Sequence, residues 1–337
     1  MAVRVLVGDR SGRLVGELTP DMGPVSWKLN EVGQVRFGLA RTDPKAIDDY
    51  LQFGNRLLVQ YDNGLPDWGG IIDPPREWAN GMVNCTAYSG EYLLGTRITD
   101  KGRYFRDATV GYIFESLIRE ATEIGLEIGE VWDGGIGHSP DYHFKDLLSI
   151  IRDSVCKTLS AADFVVTPSI VAGKIVLTAN LYERRGSDLA GVALIEGANI
   201  TSARLIEQGT IANKWSVAGR GSSWGDDRIT SYAEDADSIA EYGLREDSQV
   251  FVSVSLQQTL DEHAVNLLAE SKDPHNMLEL ATIDAEPAGF EAYDVGDSVS
   301  VMLPSYGFSG TQGMVRVHAR EYEARTGVCK LVVREDE

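Results

Sequence analysis

Two stretches far apart in this chain share one strand-and-turn pattern, and that repetition restricts the fold more than any other feature. Near the C-terminus, Tyr293-Asp294-Val295-Gly296-Asp297 leads into Ser298-Val299-Ser300-Val301-Met302-Leu303. A Gly-Asp turn feeding Val299, Val301 and Leu303 in alternation predicts a strand with one buried face. The same pattern stands at Phe53-Gly54-Asn55-Arg56-Leu57-Leu58-Val59-Gln60-Tyr61. The segments after the two copies correspond as well. The first continues to Gly69-Gly70-Ile71-Ile72 and then Gly81-Met82-Val83-Asn84-Cys85-Thr86-Ala87, the second to Gly313-Met314-Val315-Arg316-Val317 and then Gly327-Val328-Cys329-Lys330-Leu331-Val332. One small β module used twice, with the remaining chain inserted between its copies, accounts for this order.

At 337 residues and 43% hydrophobic content the chain can fill two or three cores. Its net charge of -20 argues against a nucleic-acid-binding surface, which needs clustered Lys and Arg against phosphate. Such acidity suits solubility, or a surface that duplex DNA passes without sticking. Charge appears too early in Met1-Ala2-Val3-Arg4-Val5 for a signal peptide. No stretch approaches the roughly 18 uninterrupted apolar residues of a membrane span. Cys85, Cys156 and Cys329 are odd in number and scattered, which fits unpaired thiols in a protein made in a cytoplasm.

Residues 1 to about 95 are strand-rich. Val3, Val5 and Val7 alternate, Gly8 to Gly12 form a turn, and Leu14 to Leu18 return as a hairpin partner. Val25, Trp27 and Leu29, then Val35, Phe37 and Leu39, predict two further half-buried strands. Asp43-Pro44 opens a short helical turn through Tyr50 and Leu51, and Asp62-Asn63-Gly64 predicts a tight hairpin turn. From about 96 to 190 the period changes, with Val110, Ile113, Phe114, Leu117, Ile118, Ala121 and Ile124 predicting a helix capped by Gly125. A second helix is predicted through Leu147, Ile151, Val155 and Leu159, then a hairpin from Phe164–Val166 and Ile175–Ala179. Strands return at Leu194–Ile200, Ala203–Glu207 and Trp215–Gly219; an acidic segment and a helix over Thr259–Ala269, ended by Asp273-Pro274, lead back to sheet at Leu278–Ile283.

The familiar catalytic motifs are missing: no phosphate-binding loop, Gly-x-Ser-x-Gly elbow, His-Glu-x-x-His or Cys-x-x-Cys stands in the sequence. Gly219-Arg220-Gly221 is a fragment that a simple turn explains. His138 and His143 flank Asp141 at a spacing that could hold a metal, but a third ligand is not evident and solvated loop residues explain them better. Cys85 and Cys329 fall at corresponding places in the two modules and read as buried small hydrophobes. Among the carboxylates, only Glu115, Asp226 and Asp227 merit comparison with a glycosidase pair, and solvated or ion-paired roles outweigh it. Trp68, Trp78 and Trp224 lie near glycine-rich loops and could stack on sugars, although packing is the commoner use of such residues. Neither cofactor nor metal is called for.

The two-module plan, taken with Trp68-Gly69-Gly70-Ile71-Ile72, Leu194-Ile195-Glu196-Gly197-Ala198-Asn199-Ile200, Ala212 to Gly219, Tyr242-Gly243-Leu244-Arg245-Glu246 and Gly296 to Val301, resembles the baseplate-hub or tail-associated proteins of tailed bacteriophages. The motifs are short; their order along nearly the whole chain carries the resemblance. It implies an α+β, predominantly β fold: two similar β-barrel-like hub domains with a mixed α/β insertion between them. The expected division is 1–95 for the first barrel, 96–190 for the insertion, 191–222 with 279–337 for the second barrel, and 223–278 for an acidic segment and helix packing with the insertion. The resemblance further implies a homotrimer whose six barrels form a pseudo-hexameric ring on the hexameric tail tube. Its partners would be distal tail or tail-tube protein, tape-measure protein, and tail fibre or tip proteins, with genomic DNA passing unbound. Gly54, Leu57, Val59, Gly70, Gly296, Asp297, Val299 and Val301 are the expected interface residues, the second-copy strand facing a neighbour's first barrel. The expected setting is the virion tail tip, assembled in the host cytoplasm. Because the chain stops at Glu337, shortly after its last strand, it is expected to keep the structural core and to be no enzyme. A carbohydrate-binding host-recognition module and, behind it, a cell-wall hydrolase are the alternatives.

Overall fold

The computed structural model describes residues 3–99, 102–121, 123–208, 211–221, 228–252, 254–273, 275–306 and 310–335. Trp224, Asp226, Asp227 and Pro274, singled out in the sequence, lie outside the described residues.

The N-terminal strands are β1 (Val3–Gly8), β2 (Leu14–Leu18), β3 (Asp21–Lys28) and β4 (Gln34–Ala40), followed by the single turn α1 (Asp48–Leu51) and by β5 (Arg56–Tyr61), β6 (Trp68–Ala79) and β7 (Met82–Ser89). The turn α2 (Tyr92–Gly95) leads to β8 (Arg103–Tyr104), α3 (Val110–Glu120), β9 (Glu127–Val131), β10 (Asp141–Tyr142), α4 (Leu147–Ile150), β11 (Asp163–Val171) and β12 (Lys174–Tyr182). Then come β13 (Asp188–Ile195), β14 (Ile200–Gln208), β15 (Lys214–Ala218), β16 (Thr230–Glu234), α5 (Ala236–Tyr242), β17 (Glu246–Val250) and α6 (Gln257–Ser271). The chain closes with β18 (His275–Ile283), β19 (Ser298–Leu303), β20 (Thr311–Glu323) and β21 (Val328–Glu335). The protein is α+β and mostly β.

Thirteen strands join into one large sheet whose main path runs β14-β18-β21-β20-β3-β4-β7-β6-β5-β1-β2. Among the described residues it does not close into a barrel, since β14 and β2 end the path and do not pair with each other. Its two halves are connected alike. In the first, β3 pairs with β4, β4 with β7, and β5-β6-β7 form an antiparallel meander. In the second, β14 pairs with β18, β18 with β21, and β19-β20-β21 form an antiparallel meander. The middle strand of each meander carries a bulge, between Asp73 and Arg76 in β6 and between Val317 and Ala319 in β20. β1 is the exception, lying between β2 and β5 antiparallel to both. Among the described residues the second half has no such strand, and there β13 pairs directly with β19 in parallel, the direction that β2 has relative to β5. Each half has its own core. One is built on Val25, Val35, Leu57, Val59, Ile72 and Val83, the other on Leu278, Leu280, Val299, Val301, Val317 and Leu331.

A third core lies between α3, α4 and the β11-β12-β9 sheet, with Ile113, Phe114, Leu117, Ile151, Phe164 and Leu177 fully buried or nearly so. A fourth joins α6 to the β16-β15-β17 sheet through Trp215, Val217, Leu260, Ala264 and Leu267. Leu268, expected on the same helical face, packs at the margin, while His263 and Thr259 are buried beside them. β15, placed by the sequence with the second barrel, pairs with β16 and β17 instead of joining the large sheet.

Three local readings change. α3 ends at Glu120, five residues before the expected cap at Gly125; Glu123 and Gly125, at φ 57° and 79°, instead redirect the chain into β9. The second helix is one α turn running into a π turn at Ile151–Val155. There the Thr158 hydroxyl donates to the Asp153 and Ser154 carbonyls and the Ser160 hydroxyl to the Val155 carbonyl, competing with a continued helix. The Asn63-Gly64 turn is not a tight hairpin, because β5 and β6 begin pairing only at Val59 and Trp68. The longer loop lets Leu65 enter the core of the second half.

Candidate functional site

Two corners of the large sheet are assembled from the same parts. In the first, α1 ends at Leu51, and Gly54 turns the chain into β5 with φ 90°, a conformation open to glycine because it lacks a Cβ. The Gly54 amide donates to the Ile72 carbonyl at 2.8 Å, and the Ile72 amide to the Asn55 carbonyl at 2.8 Å. In the second, a 3₁₀ turn at Phe290–Ala292 precedes Gly296, with φ 98°. The Gly296 amide donates to the Val317 carbonyl at 2.8 Å, and the Val317 amide to the Asp297 carbonyl at 2.9 Å.

An arginine locks each corner. Arg76 donates to the Leu51 carbonyl at 3.2 Å and lies 4.5 Å over the Phe53 ring. Arg320 donates to the Phe290 carbonyl at 2.9 Å and to the Tyr293 carbonyl, and lies 4.7 Å over the Tyr293 ring. Both guanidiniums thus hold the short helical turn against the strand that succeeds it, adding cation–π contact to charge-assisted hydrogen bonds. Their surroundings differ: Arg320 is fully buried, whereas Arg76 is half-buried.

Register extends the match beyond the arginines. Matching Ile72 with Val317 and tracing the paired strands sets Ala87 level with Val333, Cys85 with Leu331 and Val83 with Cys329. Arg76-Glu77-Trp78 in β6 then stands where Arg320-Glu321-Tyr322 stands in β20. These Arg-Glu-aromatic triplets are visible in the sequence, and they were the signal that sequence reasoning passed over. Cys85 and Cys329, paired by that reasoning, are instead offset by two positions, which leaves both on the core face. Both are free and buried, and burial pushes the Cys85 thiol up to about 11.

The expected interface residues divide into two groups. Leu57, Val59, Val299 and Val301 are at most 1% exposed, so they offer a neighbour the sheet they build and not their side chains. Gly54 and Gly296 form the corners. Gly70 lies opposite Leu57 and Ser89, where a Cβ would come within 2.0 Å of the Tyr88 carbonyl oxygen. Asp297 accepts from the amides of Ser187 at 2.8 Å and Asp294 at 2.7 Å, tying its corner to the start of β13.

The residues considered for other chemistry separate in space. His138 is buried beside α6, its Nδ1 3.1 Å from the Glu262 carboxylate. His143 lies at the surface near Asp141. Among the described residues no group of three or more His, Cys, Asp or Glu could hold a metal ion. The sequence did not suggest His263, which is buried against Phe251 at 4.2 Å between ring centroids. Burial, and then the neighbouring His138, hold the His263 imidazole down to about 4; burial also lowers His138, opposed by Glu262. A groove of about 460 Å³ passes this contact, lined by Trp132, Ile136, His138, Leu159, Glu262 and Val265. Glu115 is ion-paired to Arg119 at 2.9 Å on the outer side of α3. Trp68 is buried, with its indole N–H donating to the Ser26 carbonyl at 2.9 Å, and Trp78 is 58% exposed, so these two do not form one stacking surface.

This architecture is the fold of solved phage tail proteins. A tail protein of Neisseria meningitidis MC58 is 14% identical with a TM-score of 0.63, over 100% of this chain and 97% of that one. The prophage tail protein gp18 of Listeria monocytogenes EGD-e is 14% identical with a TM-score of 0.62, over 99% and 94%. A chain of the p2 virion baseplate in its activated conformation is 8% identical with a TM-score of 0.50, over 99% of both. No protein-family model and no curated protein matches the sequence. The tail-protein resemblance of the motifs is therefore borne out by the fold, along the whole chain.

Proposed function

We propose that this chain is a structural hub of a phage tail tip or baseplate: a homotrimer that adapts the hexameric tail tube to the tip and closes the channel until DNA leaves. The observation that carries the proposal is the matched pair of corners, Gly54–Ile72–Arg76 and Gly296–Val317–Arg320, each set in the same strand pairing. A duplicated module of this kind lets three chains present six equivalent units to a six-fold tube. In this reading residues 1–95 form the first barrel-like unit, and β13 and β14 with residues 279–337 form the second. The unit spanning 96–190 and the α6 unit fill the closed end, held together by Asn266 donating to the Thr158 carbonyl at 2.9 Å and by Lys157 paired with Glu270 at 2.8 Å. The corners and the strands bearing Leu57, Val59, Val299 and Val301 form the wall that neighbouring chains meet. Tail-tube, tape-measure and fibre or tip proteins are its partners, in the virion. The net charge of -20 leaves the passing DNA unbound.

Light scattering at micromolar concentration is expected to give a mass three times that of the chain, and negative-stain images a ring. A strict monomer with no ring overturns the proposal.

A further inference from the structure

We propose that β14 of one copy pairs, antiparallel, with the outer part of β6 in the next copy, placing Leu205 opposite Trp78 and Ile206 opposite Glu77. This rests on the ring reading above and specifies the joint that builds it.

The template is inside the chain. β3 of the first half pairs with β20 of the second, Val25 opposite Tyr322, Ser26 opposite Glu321 and Trp27 opposite Arg320. The counterpart of β20 is β6, with Arg76, Glu77 and Trp78 in place of Arg320, Glu321 and Tyr322. The counterpart of β3 is β14. Val25 pairs with Val35, which pairs with Ala87; Leu205 pairs with Leu278, which pairs with Val333. Leu205 therefore stands where Val25 stands, and Ile206 where Ser26 stands.

Among the described residues, both counterparts are open within one chain. Beyond a single bridge from Ile200 to Glu196, β14 pairs only with β18. β5 leaves β6 at Ile71, and on that side no described strand continues along Arg76–Ala79. Among the described residues, no backbone hydrogen bond outside the ladders reaches residues 73–79 or 201–206. An open edge with unpaired backbone groups is a template for another strand.

The side chains carry the same mark of a missing partner. Tyr322 is 1% exposed and meets Tyr61 edge-on at 5.4 Å, while Trp78, in the matching place, is 58% exposed. Trp78 is paired with the fully buried Val83, so it is on the core-facing side of its sheet and still lies open. Val25 is fully buried, and Leu205 and Ile206 are only half-buried. A second copy is the occupant because the two half-joints are complementary to each other in the register that β3 and β20 already use. Because the joint links different surfaces, successive copies join head to tail, the kind of contact from which the ring of the hub reading is built.

The test is a cross-strand disulfide. The full chain carrying Glu77→Cys and Ile206→Cys is oxidised mildly beside each single variant and the native chain. Covalent ladders reaching the mass of the oligomer, in the double variant alone and lost on reduction, are the expected result. Trp78→Asp is expected to shift the native oligomer to monomer in light scattering with the far-UV circular dichroism unchanged. If the native chain forms the ring, yet the double variant gives no ladder and W78D still assembles, the strand pairing is overturned and the hub reading stands. If the native chain is monomeric, both fall.

Discussion

Arg320 and Arg76 perform one task in two environments, and the difference has a measurable consequence. Arg320 is fully buried and satisfies the Phe290 and Tyr293 carbonyls, so Arg320→Ala leaves two buried acceptors without a donor. At about 1–3 kcal/mol for each orphaned group, the loss should be about 3 kcal/mol. Arg76 is half-buried, and water can replace it at the Leu51 carbonyl; Arg76→Ala should cost about 1 kcal/mol or less. Urea unfolding of the two variants measures the contrast, and equal losses would show that the two corners do not differ in solvation. The role of either arginine was hidden in the sequence, although both Arg-Glu-aromatic triplets were there to be read. An arginine in a strand-like segment signals a solvated side chain until the fold aims it at a carbonyl.

At the scale of elements, alternation marked the strands well: Val5 and Val7, Val35 and Phe37, and Val299, Val301 and Leu303 are buried as their period predicts. Helix ends were less legible, since Gly125 looks like a cap whether the chain reaches it as helix or as turn. Glycines inside strands differ in what surrounds them, which is a tertiary matter. Gly70 faces the Tyr88 backbone, and its Cβ would also come within 2.7 Å of the Trp68 ring. Gly313, in β20 opposite Val301, has nothing within 4 Å of where a Cβ would lie. Gly70→Ala should therefore lose at least about 2 kcal/mol, and Gly313→Ala should stay within about 0.5 kcal/mol of the native chain. Matching urea midpoints for the two variants would rule out the close approach at Gly70.

Across the whole molecule, the contact between the unit spanning 96–190 and α6 should respond to pH. His263 packs against Phe251 and lies near His138, which in turn pairs with Glu262, and burial holds its imidazole down to about 4 in the folded chain, against about 6.5 when unfolded. Between those values the unfolded chain binds more protons, so stability rises with pH and is lost as pH falls from about 6.5 to about 4. The slope approaches about 1.4 kcal/mol per pH unit for one histidine, giving His263 at most about 3 kcal/mol over the window. His263→Phe should flatten the dependence of the unfolding midpoint on pH between 7 and 5; parallel curves for the variant and the native chain would discard the histidine as its source. By itself the sequence determined the mostly β class, the strand periodicity, the acidic surface and the recurrence of one pattern, because these depend on local spacing and composition. Only the tertiary structure decided that the halves share one sheet, that an arginine locks each corner, and that, among the described residues, β14 and the end of β6 each keep one edge without a partner strand. Those features depend on which distant strands lie side by side, and a period of two is the same whichever neighbour a strand finds.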